Sequence, residues 1–138
     1  MTGDLAAFLA ARLDEDEAVA KLAAREGSIW TQDDPDRYPG AISSLGGTVV
    51  YDEGAPDENQ APHIARHDPA RVLREVEADR IILIAYEEAK RRYDSREEMG
   101  NLAADRHRAG EVLGLKLAVQ ARAAVYNDLP DYRQEWAP

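Results

Sequence analysis

His63 and His67 are the residues of this chain whose type and spacing come nearest to chemistry. If Pro62 to His67 forms a helical turn, the i, i+4 interval puts both imidazoles on one side, as coordination of a divalent metal requires. Two histidines do not complete a site. The further ligands on offer are Asp68, the distant His107 or the carboxylates of Asp14 to Glu17, and the plainer reading is a polar segment leading into a capped helix. Asp105-Arg106-His107 invites an acid/base reading. On a continuous helix, however, residues two apart point about 200° away from each other, so the carboxylate and the imidazole cannot pair directly. No Gly-x-Ser-x-Gly elbow, phosphate-binding glycine loop or His-Glu-x-x-His helix is present. The absence of cysteine removes disulfides, zinc-thiolate sites, iron-sulfur clusters and thiol catalysis together. Ser28, Ser43, Ser44 and Ser95 are each sufficiently explained as turn or cap residues.

Other groupings point to contact. Asp14-Glu15-Asp16-Glu17 is a run of carboxylates that fits a basic partner or a cation, although it lacks the alternating oxygens and central glycine of a calcium loop. Lys90-Arg91-Arg92 with Arg80 and Arg96 is the only basic concentration, and Glu87, Glu88, Asp94, Glu97 and Glu98 largely cancel it. Gly110 and Gly114 stand one turn apart, each costing about 1 kcal/mol relative to alanine inside a helix. They therefore point to a close helix crossing, within the chain or between chains. With the apolar Ile81, Ile82 and Ile84, they mark the expected self-association surface of a homodimer. Trp30, Tyr51, Tyr126, Tyr132 and Trp136 either line a small pocket or cover the core from the ends of elements.

The elements that must position these groups are mostly helices. The chain has 138 residues, 44% of them hydrophobic, and much of that share is alanine, so one domain with a thin helical core is expected. A helix over residues 4–26 starts at the N-cap Asp4, carries Leu5, Phe8, Leu9 and Leu13 on one stripe, continues past the acidic run to Val19, Leu22 and Ala23, and stops at Gly27. Residues 28–62, rich in proline and glycine, read as the non-helical section. Ala41 to Leu45 and Thr48 to Asp52 there flank a Gly46-Gly47 hairpin turn, with Ile29 to Thr31 as a third short strand. Asp68-Pro69 opens a helix over 69–93. Ser95 to Glu98 has capping-box spacing for a helix over 96–126, on which Met99, Leu102, Leu113 and Leu117 recur. Asp131 with Gln134 repeats that spacing for a last turn over 131–136, with Tyr132 and Trp136 docking on the helices. The expected fold is thus α-rich α+β: three principal helices with a small antiparallel hairpin or three-stranded sheet inserted between the first and second.

The stretch His63-Ile64-Ala65-Arg66-His67-Asp68-Pro69-Ala70-Arg71-Val72-Leu73 resembles the signature of a family of short actinobacterial and actinophage proteins, domain of unknown function 6221. The opening Leu5-Ala6-Ala7-Phe8-Leu9 leading into Arg12 to Glu17, and the closing Pro130-Asp131-Tyr132-Arg133-Gln134-Glu135-Trp136, are similar to that family's usual beginning and end. The resemblance spans most of the chain and implies a bacterial or phage setting, the host cytoplasm for a phage product, with no activity to transfer. After Ala78, where the family tends to a basic helix, this chain runs Asp79-Arg80-Ile81-Ile82-Leu83-Ile84, which favours an added apolar contact.

Charge then separates the functional classes. The net charge is −10, with residues 1–60 at −9 and residues 61–138 at −1. Long-range repulsion disfavours direct binding to nucleic acid. No apolar run approaches the roughly 20 residues of a membrane span, and the N-terminus lacks the basic start of a signal peptide, so a cytoplasmic protein is expected. The leading expectation is a non-enzymatic acidic binding or regulatory protein acting through protein contacts, in its sharper form a charge mimic that meets a basic partner. One alternative is a metal-binding protein or metal-dependent hydrolase using His63 and His67. The other is a structural phage component. No cofactor is expected beyond that divalent metal.

Overall fold

A computed structural model describes residues 4–96 and 101–138. Asp4 opens α1 (Leu5–Ala23), its carboxylate accepting the Ala6 amide at 3.0 Å and its carbonyl the Phe8 amide at 2.9 Å. The acidic run does not interrupt the helix. Leu9, Leu13 and Ala20 continue the inward stripe past it, and Asp16 and Glu17, three and four residues after Leu13, are half-buried while Asp14 and Glu15 are exposed. Val19 and Leu22, which follow the acidic run, are exposed. A 3-10 turn (Ala24–Glu26) and Gly27, at φ +134°, end the helix as the sequence predicts.

Three short strands follow, β1 (Thr31–Gln32), β2 (Ile42–Ser44) and β3 (Gly47–Val50), antiparallel in the order β1-β2-β3. The hairpin register differs from expectation by one residue. Ser44 pairs with Gly47, so Leu45 and Gly46 form the loop, and of the two adjacent glycines only Gly47 has a positive φ. Gly46 is required for another reason: a Cβ there would lie 2.0 Å from the carbonyl oxygen of Glu26. Close approach of two backbones, rather than a primed turn, explains that glycine.

The section expected to stay non-helical to residue 62 yields a short helix, α2 (Gln60–Arg66). A capping-box pair of hydrogen bonds lies just ahead of its first turn. Asp57 accepts the Gln60 amide at 2.9 Å, and the Gln60 side chain accepts the Asp57 amide at 3.0 Å. Pro62 does not break it, because the first four amides of a helix lack intrahelical partners and a missing one costs nothing there. Asp68-Pro69 then starts α3 (Pro69–Asp94), Asp68 accepting the Arg71 amide at 2.7 Å. Ser95 closes α3 rather than opening the next helix, its hydroxyl donating to the Arg91 carbonyl at 2.8 Å. Glu98 and Met99 lie outside the described residues. The following helix, expected from residue 96, is α4 (Leu102–Ala123), capped by Asn101, which accepts the Ala104 amide at 3.2 Å. It tightens into a 3-10 turn (Ala124–Tyr126).

The last turn is a 3-10 helix (Gln134–Trp136) without a side-chain cap. Asp131 is not its cap because the carboxylate pairs with Arg12, at 3.2 and 3.3 Å.

Two compact units result, one from the chain to Asp14 together with Glu77 onwards, the other from Glu15–Val76. In the first, Phe8 is ringed by Trp136, Tyr132 and Tyr126, with ring centroids 5.0, 5.9 and 6.4 Å away. Leu9, Leu13, Leu83, Val119 and Ala123 complete its interior. In the second, Ala20, Ala41, Ile42, Ala61 and Val76 are buried, and three of the five are alanine, the thin core that the composition predicts.

Candidate functional site

His63 of α2 and His67, the residue that follows the helix, do bring their rings together, 4.3 Å apart at 37°. The His67 Nδ1 lies 2.9 Å from the His63 carbonyl oxygen, a contact that caps the helix end. Asp68, the nearest proposed third ligand, is otherwise occupied. Besides the Arg71 amide it accepts the Trp30 amide at 3.2 Å, tying the approach to β1 onto the start of α3. Among the described residues, no group of three or more histidine, aspartate or glutamate side chains is placed to hold a metal ion. Asp105 pairs with Arg96 at 3.6 Å, on a helix whose geometry aims His107 elsewhere.

The acidic run is partly neutralised within the fold. Asp14 pairs with Arg80 at 2.8 Å and Glu17 with Lys21 at 2.6 Å. Part of the basic concentration is likewise paired, Arg92 with Glu111 at 3.0 Å and Arg96 with Asp105. One pair was not legible beforehand: Asp79, almost buried, holds Arg122 at 2.6 Å across α3 and α4.

The expected self-association residues divide. On α3, Ile81 and Ile84 are exposed and Ile82 is half-buried, while Leu83 beside them is inward. On α4, a Cβ at Gly110 or Gly114 would meet nothing within 4 Å, so the pair serves no crossing among the described residues of this chain. The leucines expected to recur on the packed face are the exposed ones. Leu102, Leu113 and Leu117 are 71, 66 and 54% exposed, whereas Val119 and Ala123 face inward. Gly110, Leu113, Gly114, Leu117, Ala121 and Val125 thereby form one outward apolar stripe at three- and four-residue spacing. Arg106, Arg108 and Lys116 stand exposed along the same helix.

These features define a helix-rich α+β protein with a small three-stranded antiparallel sheet. Several of the polar groups that sequence reasoning singles out cap helices or form ion pairs, and α4 presents an apolar face that is exposed among the described residues. The chain belongs to the family of unknown function DUF6221, whose family model matches residues 2–138. No curated protein and no solved structure matches it. The stretches that carry the family likeness have structural roles here: Asp68 caps α3, and the opening and closing stretches meet through Phe8 with Tyr132 and Trp136, and through Arg12 with Asp131.

Proposed function

We propose that this protein is a non-enzymatic binding protein that acts through protein–protein contacts, and that the outward face of α4 is the surface it uses, on a second copy of the chain. The observation that carries this reading is the apolar stripe from Gly110 to Val125, with two glycines open to solvent and two leucines more than half exposed. Contiguous apolar surface of this kind is disfavoured in water unless something covers it. Charge supports the choice of occupant. α4 holds Arg106, Arg108, Lys116 and Arg122 against Asp105 and Glu111, a net positive element in a chain of −10, and residues 1–60 of a second copy bring −9.

Sedimentation equilibrium of the wild type and of Leu113→Asp with Leu117→Asp tests the proposal. The wild type is expected to form dimers at micromolar concentration and the variant to remain monomeric with unchanged circular dichroism. A wild type that stays monomeric at several hundred micromolar, or a variant that associates equally well, removes it.

A further inference from the structure

The outer face of α1 is apolar as well. Glu15, Ala18, Val19 and Leu22 stand at i, i+3, i+4 and i+7 and are all exposed, Val19 and Leu22 at 66 and 65%. The face runs into a cleft of about 330 Å³ whose lining includes Leu22, Trp30 and Val49. On α4, Gly110, Leu113, Gly114 and Leu117 repeat the same spacing. Shape makes the two faces complementary, for on α4 two glycines without side chains stand between projecting leucines, and on α1 a small Ala18 stands beside projecting Val19 and Leu22. Ridges of one helix can therefore enter the grooves of the other. Charge points the same way. Residues 14–23 of α1 hold four carboxylates against Lys21, some of them paired within the chain, as Asp14 is with Arg80. α4 exposes Arg106, Arg108 and Lys116. Laying one α4 on another brings these cations together, whereas α1 brings them opposite charge.

We infer, resting on the self-association proposed above, that the surface α4 meets on a second copy is the outer face of α1 around Val19 and Leu22. Each copy carries both faces, so the contact is heterologous. A dimer closes when each copy lays its α4 on the α1 of the other.

Complementation between two variants of the full chain tests the assignment. Leu113→Asp with Leu117→Asp spoils the α4 face, and Val19→Lys with Leu22→Lys spoils the α1 face. All four side chains are more than half exposed, so both variants should fold, with unchanged circular dichroism. In sedimentation equilibrium each variant alone is expected to lose self-affinity about tenfold or more. An equimolar mixture is expected to form a one-to-one complex, because the intact α1 of the first meets the intact α4 of the second. Self-association of the Val19 and Leu22 variant at wild-type affinity overturns the assignment, placing α4 on α4 while the proposed function stands. A mixture that associates no better than its components overturns it too. A wild type that stays monomeric removes the proposed function along with it.

Discussion

Asp68 shows how much one side chain can hold. One of its oxygens accepts the Arg71 amide at the start of α3 and the other the Trp30 amide, 38 residues away. Asp68→Ala removes a helix cap, worth about 1 kcal/mol, and also leaves the Trp30 amide without its acceptor. Urea denaturation should report a loss of about 1–3 kcal/mol, of which asparagine restores only the part due to the cap, because its NH2 group cannot accept the Trp30 amide. The Asp79–Arg122 pair makes a second residue-scale prediction. The Asp79 side chain is 10% exposed and that of Arg122 is 41% exposed, so solvent screens the guanidinium more than the carboxylate. Arg122→Met should cost about 2 kcal/mol by stranding the carboxylate, and adding Asp79→Leu should return part of that loss. A double variant no more stable than Arg122→Met would mean that the pair is not what holds these helices.

At the scale of the element, α4 joins a correct prediction to an inverted one. A long helix over these residues is legible from its spacing, and so is the oddity of two glycines one turn apart. The inward face is not legible, since α4 has apolar residues on both sides and periodicity alone does not say which side meets the rest of the chain. Gly110→Ala with Gly114→Ala separates the roles of the glycines. Each added methyl meets nothing within 4 Å in the isolated chain, so thermal unfolding of the monomer should shift upward, by about 1 kcal/mol per site, while dimerisation weakens as the methyls hold two helices apart. A variant that gains both stability and association would place the close crossing elsewhere. α2 teaches the converse lesson. The capping box just ahead of it, Asp57 to Gln60, stands in the sequence, but the prolines around it dominate the reading, although Pro62 falls in the one turn where proline is harmless.

For the whole molecule, the uneven charge sets how copies meet. Attraction between a positive helix and a segment at −9 is screened as the Debye length falls from about 10 Å at 0.1 M salt to about 3 Å at 1 M. Dimerisation followed by sedimentation should therefore weaken several-fold over that range. Strengthening with salt would assign the contact to apolar burial alone and the charge pattern to solubility.

The amino-acid order by itself determined the net charge, the exclusion of thiol chemistry, the α-rich fold with its inserted strands, and the helix boundaries at Asp4, Gly27 and Asp68. Those boundaries close through hydrogen bonds within a single turn, so the information for each is local. Tertiary structure alone decided which face of α4 turns outward, that Asp131 pairs with Arg12 instead of capping the last turn, and that Asp79 meets Arg122. Burial and ion pairing there depend on groups far away along the chain, and no local spacing encodes which of several chemically suitable partners the fold brings close.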